Sequence, residues 1–285
     1  MSFARSIVGY YFRILCHPRA ITLRNLSGAL GDNLLLSCLA REIKSYNPDQ
    51  YVILETSWPE LFINNPHADA VFSEKVALLY RKIKYRIVPE TREHVIDQMV
   101  KQLPFPINEW DRKVNLFLSE GTLAAIVRNL PDQFIVINPQ GKQIHSANRK
   151  EWGYDNFLAL EEALTDLPLV QIGDLRTPLL PRALDYRGRP ILESAYIISR
   201  SATGVFMEGG LMHVASAVQK PSVIIYGGAI HPEVTGYEIH NNISTEPDCG
   251  PCIRSHDRVP VCDSMICMKQ IGVERVARAV HAMIG

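Results

Sequence analysis

The sequence predicts an α/β protein made of two Rossmann-like domains, each a parallel sheet covered by helices. Apolar, strand-like runs alternate with amphipathic helical runs along most of the 285 residues. Several of these strands are apolar on both faces, which is typical of parallel sheets with helices on both sides. The loop-like stretch RNLPDQ separates two such series. Because a chain of this length accommodates two ordinary domains, we predict an N-terminal domain at 1–130 and a C-terminal domain at 131–285.

The first half begins with the strand-like run AITLRNL, the turn SGALGDN and an amphipathic helix. Helical spacing places five apolar side chains on one face of that helix: Leu34, Leu35, Cys38, Leu39 and Ile43. The runs YVILE and ADAVF are the next predicted strands. From residue 75 to 130 the pattern predicts only a helical stretch around IDQMVKQL and a proline-rich turn at LPFPIN.

The second half alternates more regularly between strands and helices. Its predicted strands are FIVINP, LVQIGD, TGVFM and SVIIYG. Its predicted helices are YDNFLALEEAL, LESAYIISRS, GLMHVASAV and VERVARAVHAMI. Two of these helices have apolar stripes at helical spacing, which are Leu211, Val214, Ala215 and Val218 in one and Val273, Val276, Ala277, Val280 and Ile284 in the other.

Composition excludes several classes of protein. The formal net charge is zero, which argues against nucleic acid as the main partner. No apolar run reaches the length of about 18 residues that a membrane span requires, and no secretory signal with a cleavage site is recognisable. We therefore expect a cytoplasmic protein.

The N-terminal stretch predicts an amphipathic helix with Phe3, Ile7, Tyr10 or Tyr11, and Ile14 on one side. Up to Gly31 the chain contains arginines but no acidic residue. Such a helix either docks on the protein or on another subunit, or lies on an anionic membrane surface at the inner face of the membrane.

Ligands of parallel α/β sheets bind at the carboxyl ends of the strands. After the first strand, Gly28 and Gly31 permit a tight turn that brings backbone N–H groups close to a ligand. Asp32 in this turn is either a helix N-cap or a general base. Glu55, at the end of the next strand, resembles the acid that binds an NAD ribose, so an NAD-dependent oxidoreductase is one alternative.

In MEGGLMH, two glycines open a helix directly after a strand. The N–H groups of Gly209, Gly210 and Leu211 and the positive end of the helix dipole would hold a phosphate. Met212 belongs to the same predicted ligand-binding run. The side chain of His213, which follows it, either reaches the same ligand or is a structural histidine whose hydrogen bonds are made within the protein. Glu208 would accept hydrogen bonds from ribose hydroxyls or act as a first-turn acid.

Two further features point to anion or metal binding. Lys150, with its neighbour Arg149, follows a strand and would neutralise a leaving diphosphate, unless it is only a solvated surface cation. Four of the six cysteines have the spacing C-x2-C-x9-C-x4-C, at Cys249, Cys252, Cys262 and Cys267. This spacing suits a closed structural site for one zinc or iron ion, with disulfides or unpaired thiols as alternatives.

Taken together, these stretches resemble the heptosyltransferases of glycosyltransferase family 9. The resemblance is carried by GALGDNLLLSCLAREIK, INPQGKQIHSANRKEW and YIISRSATGVFMEGGLMHVASAVQKPSVIIYGG. The cysteine segment 249–267, with CGPC and ICMKQI, further resembles the metal finger of the autotransporter heptosyltransferases.

The resemblance implies a GT-B architecture, with two Rossmann-like domains facing a cleft and a small cysteine metal finger. It implies inverting transfer of a heptose or related sugar from an ADP-activated donor to a glycan, protein or small-molecule acceptor, without a catalytic cofactor. Asp32 would be the catalytic base, Lys150 the phosphate-binding lysine, and residues 209–213 the diphosphate loop. The family's D-[ST]-G is E-G-G here, which motivates a second alternative, a non-catalytic nucleotide-sugar-binding subunit. A homo-oligomer is also open.

Overall fold

The computed structural model describes residues 3–76, 81–82, 92–141, 146–253 and 259–284, with the side chains of 3–6 and 81–82 left out of the description. The chain forms two compact units. Unit 1 comprises Met1–Tyr85 and Val95–Phe117, and unit 2 comprises Arg86–His94 and Leu118–Gly285. The division at 117 and 118 precedes the boundary that the sequence predicts at 130 and 131, because the helix at Glu120–Ile126 packs against a helix of unit 2.

Unit 1 contains a four-stranded parallel sheet, as far as the structure describes it, in the order β3-β2-β1-β4. Strand β2 is buried along its whole length, as in the interior of a parallel sheet covered on both faces, whereas β1 and β3 are only partly buried. The elements are α1 (Phe3–Cys16), β1 (Ile21–Asn25), α2 (Leu30–Leu34), α3 (Leu36–Tyr46), β2 (Val52–Thr56), a 3-10 helix (Pro59–Phe62), β3 (Ala70–Phe72), β4 (Arg81–Lys82) and α4 (Val95–Val100).

Unit 2 contains six described parallel strands in the order β10-β9-β8-β5-β6-β7. The elements are α5 (Glu120–Ile126), β5 (Ile135–Ile137), α6 (Tyr154–Ala163), β6 (Leu169–Gln171), β7 (Leu184–Asp185), α7 (Ile191–Arg200), β8 (Thr203–Met207), α8 (Gly210–Ala217), β9 (Ser222–Gly227), α9 (Pro232–Thr235), β10 (Asn241–Ser244), α10 (Ile266–Lys269) and α11 (Val273–Ile284). The predicted α/β class with parallel sheets is therefore confirmed.

Both sheets follow the strand order of the Rossmann fold, in which the chain starts in the middle of the sheet, grows to one edge and then crosses to the other side. The crossing in unit 2 places β8 beside β5, with Ile135, Val136 and Ile137 opposite Thr203, Gly204 and Val205. In unit 1, β4 lies beside β1 in the same way. Such crossing points leave a crevice at the carboxyl ends of the two central strands.

The core of unit 2 confirms the predicted stripe of the last helix. Val276 and Val280 of α11 are fully buried and pack with Phe157 and Leu160 of α6 over the sheet. The prediction for α8 was too narrow. Met212, His213, Ser216 and Ala217 are buried together with the predicted Val214 and Ala215, so this helix is enclosed on nearly every side.

The predicted first helix is interrupted at Leu35, which separates α2 from α3. Asn33 explains the local geometry, since its buried side-chain amide donates to the carbonyls of Ser27 and Ala29 at 2.7 and 2.8 Å. Its oxygen accepts from the Thr56 hydroxyl at 2.7 Å. One asparagine thus ties the glycine turn after β1 to the end of β2.

Helix α1 docks with one side on the sheet of unit 1. Ile7, Tyr10 and Ile14 pack against a cluster that includes Ile53 and Val76, and the hydroxyl of Tyr10 lies 3.2 Å from that of Thr22. A second apolar stripe of the same helix stays exposed, at Val8, Tyr11, Phe12 and Leu15. Within the described residues, no helix has the length and apolarity needed to cross a bilayer.

Candidate functional site

The carboxyl ends of β5 and β8 bring together the loop that carries Lys150 and the run from Glu208 to His213. The two strands are adjacent and parallel, so the segments that follow them emerge at the same edge of the sheet. Of the predicted loop after β5, residues 142–145 lie outside the described residues. Residues 146–150 form turns that lead to Trp152, which is buried.

The amino end of α8 has the geometry of an anion site. Gly209 is its N-cap, with φ 150° and ψ −157°, and no side chain caps the helix there. A Cβ at Gly209 would meet no atom within 4 Å, so the space in front of the helix is open. By helical geometry the N–H groups of the first turn lack intrahelical acceptors, and they carry the positive end of the dipole. A phosphate group suits this position.

Lys150 and Glu208 form an ion pair at this edge. The Glu208 side chain is 2% exposed and that of Lys150 is 18% exposed. A buried carboxylate is stable only when a cation or hydrogen bonds compensate its lost hydration. Gly141 supports this arrangement, because a Cβ there would overlap the Lys150 carbonyl. The ammonium group of Lys150 is therefore held beside the amino end of α8, where it adds positive charge.

His213 faces the interior next to this pair. Its Nδ1 lies 2.6 Å from the hydroxyl of Tyr237. Burial, together with the smaller effect of the positive charges of His94, Lys150 and His240, lowers the pKa of His213 to about 3. The ring is therefore neutral, and the Tyr237 contact matches the structural alternative more closely than a direct ligand contact.

Leu211 and Met212 differ in what they can offer a ligand. Met212 is fully buried and its sulfur lies 2.9 Å from the Tyr226 hydroxyl, which leaves its side chain inside the core. Leu211 is half-buried. The contribution of this run to an anion would therefore come from backbone N–H groups rather than from these side chains.

Asp32 lies in unit 1, at the carboxyl end of β1. The N-cap of α2 is Ala29, so the alternative in which Asp32 caps the helix is wrong. Asp32 occupies the first turn instead, half-buried, with the Ser27 hydroxyl 3.2 Å from its Oδ2. Gly28 is exposed with no atom within 4 Å of a Cβ, whereas Gly31 is buried. The carboxylate therefore stands beside an open turn.

Glu55 does not offer its carboxylate to a ribose. The side chain is fully buried, forms an ion pair with Arg24 and accepts a hydrogen bond from the Val76 N–H at 2.8 Å. This engagement removes one of the two observations behind the oxidoreductase alternative, and the glycine turn after β1 is the other.

All six cysteines lie in the described residues and none forms a disulfide. Cys267 is buried, Cys252 and Cys262 are half-buried, and Cys249 is exposed. Burial raises the pKa of Cys252, although Arg149 opposes the shift and the nearby thiols of Cys267 and Cys262 add to it. These three sulfurs are therefore close enough to influence one another.

The described residues do not assemble a metal site. Residues 254–258 of the cysteine segment lie outside the description, and the remainder contains no group of three or more histidine, cysteine or acidic side chains arranged to hold an ion. The three neighbouring thiols agree with the ligand type that zinc and iron prefer. The arrangement as described is looser than a closed tetrahedral site.

The cysteine segment is fastened to the loop that carries Lys150. Asn148 donates to the Cys262 carbonyl and accepts from the Cys262 N–H, both at 2.9 Å. Nε of Arg149 lies 3.1 Å from the Cys252 sulfur. Beyond Lys150, the indole of Trp152 donates to the Ile271 carbonyl at 2.8 Å.

Sequence reasoning missed two polar residues at this edge. Asn148 was not a candidate, because its role is a contact with a segment more than a hundred positions away. Asn138 directly follows β5, and its buried Oδ1 has no hydrogen-bond partner within the described residues. A polar residue immediately after a buried strand was the available signal for Asn138.

Comparison with known proteins finds similarity in structure. A glycosyl transferase family 9 structure from Veillonella parvula aligns with a TM-score of 0.67 and 13% identity, over 93% of this chain and 97% of that chain. The iron-containing dodecameric glycosyltransferase TibC of enterotoxigenic E. coli aligns with a TM-score of 0.71 and 17% identity, over 93% of this chain and 78% of that chain. The ADP-heptose lps heptosyltransferase II of E. coli aligns with a TM-score of 0.66 and 15% identity, over 93% of this chain and 98% of that chain. At these identities the likeness shows a shared fold.

No protein-family model matches the sequence. A search of curated proteins also finds no significant match.

We predict that unit 2 loses stability in mild acid through its neutral buried histidines. Burial lowers the pKa of His213 to about 3 and of His240 to about 4, from an ordinary value near 6.5. Below about pH 6.5 the two histidines bind protons in the unfolded chain but not in the folded chain. Their contribution to stability is therefore fully present above this pH and is lost as the pH falls towards the folded-state pKa values. The free energy of unfolding should fall by about 2–3 kcal/mol between about pH 7.5 and 5.5.

Denaturant unfolding at these pH values measures this effect, above the range in which carboxylates titrate. His240→Gln should retain roughly half of the pH dependence, because one of the two groups remains. An unfolding free energy that does not change over this range would contradict the assignment.

Proposed function

We propose that this protein is an inverting glycosyltransferase that transfers a sugar from a nucleotide-diphosphate donor to a hydroxyl acceptor. The observation that carries the proposal is the open amino end of α8, with Lys150 beside it at the strand-crossing point of unit 2. The fold shared with family 9 glycosyltransferases agrees with it. Because TibC has been observed with ADP-D-beta-D-heptose, we propose an ADP-activated heptose or related sugar as the donor.

The donor end of this reaction needs positive charge where the diphosphate leaves. The dipole and N–H groups of α8 at Gly209 and Gly210 supply a fixed partial charge, and Lys150 supplies a full one. Both are held by the fold before a ligand arrives, so little reorganisation is needed during the reaction. No catalytic cofactor enters this proposal.

Glu208 would affect the free energy of donor binding, because it pairs with the same Lys150 ammonium group that a diphosphate would contact. Its buried carboxylate is compensated by Lys150 when no anion is present. A diphosphate would compete with Glu208 for this ammonium group. The Glu208 carboxylate would then be compensated by accepting hydrogen bonds from the ribose hydroxyls of the donor, the role that the sequence predicts for it. The E-G-G sequence, with glutamate in place of the family's aspartate, allows the carboxylate to reach Lys150 across one additional methylene.

The acceptor end needs one base. We assign this role to Asp32, because it is half-buried, lies beside the open turn at Gly28 and is not a helix cap. A carboxylate oriented by the Ser27 hydroxyl would take the proton from an acceptor hydroxyl. The acceptor hydroxyl would belong to a glycan, a protein or a small molecule, and an assay over a panel of such acceptors distinguishes them.

A non-catalytic nucleotide-sugar-binding subunit is the second candidate. The E-G-G sequence at 208–210 favours it, since the hydroxyl that the family places toward the phosphate is missing. The two candidates share the donor site and differ only in turnover.

We further propose that Cys249, Cys252, Cys262 and Cys267 hold one structural zinc or iron ion. Spacing, reduced thiols and the proximity of three sulfurs support this assignment. A cytoplasmic location and a homo-oligomer are the associated proposals, and TibC, which is dodecameric and contains iron, offers a precedent in a protein of similar fold.

Asp32→Asn should reduce sugar transfer by about 10²- to 10⁴-fold, because the amide cannot accept the acceptor proton. Binding of ADP, which contacts unit 2 in this proposal, should be unchanged. Transfer from ADP-heptose to a panel of acceptors measures the first quantity and calorimetry the second, with the exposed-site variant Asp49→Asn as control.

An Asp32→Asn variant with full transfer activity would remove Asp32 from the mechanism. A wild-type protein that binds ADP-heptose but transfers to no acceptor would instead establish the binding subunit.

Elemental analysis of the purified protein should find about one zinc or iron per chain, since four thiolates complete one tetrahedral site. Replacing Cys252 and Cys262 by serine should remove it, whereas Cys16→Ser, outside the segment, should not. Metal-free wild-type protein with normal stability would refute the metal clip.

A further inference from the structure

We propose that the described parts of the cysteine segment, 249–253 and 259–267, position Lys150, with Asn148 as the positioning residue, so that a disturbance of these parts weakens diphosphate binding. The inference deepens the proposed function, on which it depends for the ligand of Lys150. Its structural part rests on contacts within unit 2 alone.

Asn148 acts as a substitute for a neighbouring strand. Its side-chain amide satisfies both the N–H and the carbonyl of Cys262, at 2.9 Å each. Two backbone groups of an otherwise irregular segment therefore depend on one side chain for their hydrogen bonds. Because Cys262 is half-buried, breaking these two bonds would leave its backbone groups only partly compensated by solvent, so the two segments are expected to move together.

Arg149 adds a second fastening at the adjacent position. Its Nε lies 3.1 Å from the Cys252 sulfur, and its buried Nη1 has no hydrogen-bond partner within the described part of the chain. A guanidinium held against a thiol in this way is oriented by the cysteine segment rather than by solvent. On the other side of Lys150, the indole of Trp152 donates to the carbonyl of Ile271, which lies in the turn after the cysteine segment. Lys150 is therefore flanked by such contacts on both sides.

The other end of the segment is fixed to the sheet. The hydroxyl of Thr245, directly after β10, donates to the Cys267 carbonyl at 3.1 Å. Cys267 also packs against Gly228, directly after β9, where an added Cβ would come within 3.0 Å of it. The segment therefore bridges from the ends of β9 and β10 to the loop after β5. A displacement of this bridge is transmitted to Lys150.

The test compares Asn148→Ala and Cys262→Ser with the wild type, and with Asn242→Ala as the matched control. Asn242 also bonds a backbone carbonyl in unit 2, that of Tyr237 at 3.1 Å, and has no hydrogen bond to the described residues of the cysteine segment. The first readout is the rate at which acetic anhydride acylates Lys150, with Lys220 as the internal reference. Asn148→Ala should show several-fold faster acylation of Lys150, because its loop loses both hydrogen bonds to the Cys262 backbone. Cys262→Ser keeps those two backbone groups and changes only the thiol, so it should raise the acylation rate less than Asn148→Ala does.

The second readout is the dissociation constant of ADP. Asn148→Ala should bind ADP on the order of tenfold more weakly, since roughly one well-placed contact is lost. Asn242→Ala should match the wild type in every assay.

Unchanged acylation of Lys150 in Asn148→Ala, folded with a near-normal melting temperature, would overturn the inference even if Cys262→Ser does not fold. So would an unchanged ADP dissociation constant. A wild type that does not bind ADP, while Lys150 acylation responds as expected, would refute the proposed function and leave the positioning intact.

A second, independent observation concerns the exposed stripe of α1. We propose that Val8, Tyr11, Phe12 and Leu15 rest on an anionic lipid surface. Phe12 is 67% exposed and Leu15 81% exposed, whereas the docked residues Tyr10 and Ile14 hold the helix on unit 1. The stripe is thus presented outward by a helix that cannot turn it inward without losing those contacts.

The charge of the surrounding sequence selects the occupant. Residues 1–31 contain arginines and no acidic residue, and Arg13 and Arg19 are exposed. An apolar stripe with cations nearby suits anionic headgroups, whereas a second copy of the helix would bring like charges together.

Co-sedimentation with vesicles of phosphatidylglycerol and phosphatidylcholine, against pure phosphatidylcholine, tests this surface. The wild type should bind the anionic vesicles and lose this binding at high salt. The double variant Phe12→Ser and Leu15→Ser should bind at least about fivefold less. The matched control Ile63→Ser and Ile126→Ser, at other exposed apolar sites, should bind normally. Absent or charge-independent binding would overturn the proposal, as would a dimer in solution that the stripe variant dissociates.

Discussion

The parallel pairing of β5 with β8 is the constraint on which the candidate donor site depends. Strands far apart in the chain become neighbours because the connection crosses the sheet at this point. Their carboxyl ends then coincide, which brings the loop of Lys150 to the amino end of α8. Gly204 of β8 lies opposite Val136 in this pairing, and a Cβ there would overlap the ring of Phe206 on the same strand. Neither the ion pair nor the anion cradle would exist without this pairing.

The electrostatics of the site follow from burial at that edge. The buried side chain of Glu208 is compensated by its ion pair with Lys150. His213 lies in the same low-polarity surroundings, where burial keeps it neutral and its ring nitrogen contacts the Tyr237 hydroxyl. The positive charge that faces the open space therefore comes from Lys150 and the helix dipole.

The cysteine segment illustrates how an irregular region becomes part of a site. Several of its described apolar side chains, such as Val261 and Ile266, are exposed, so they contribute little to fixing it by burial. Side-chain bonds from Asn148, Arg149 and Thr245 to its backbone and sulfur fasten it instead. The same bonds connect it to the loop of Lys150, which gives a structural element a direct path to ligand binding.

The sequence by itself determined the α/β class, most long helices and strands, and the glycine-opened helix after β8, because these depend on local periodicity and on short turns. It missed short elements such as β7 and β10, whose few residues carry no period of their own. Only the tertiary structure decided that Glu55 is occupied by Arg24, that Ala29 rather than Asp32 caps α2, and that Glu208 pairs with Lys150. Those outcomes depend on which distant segments the sheet brings together, and a local pattern does not contain that information.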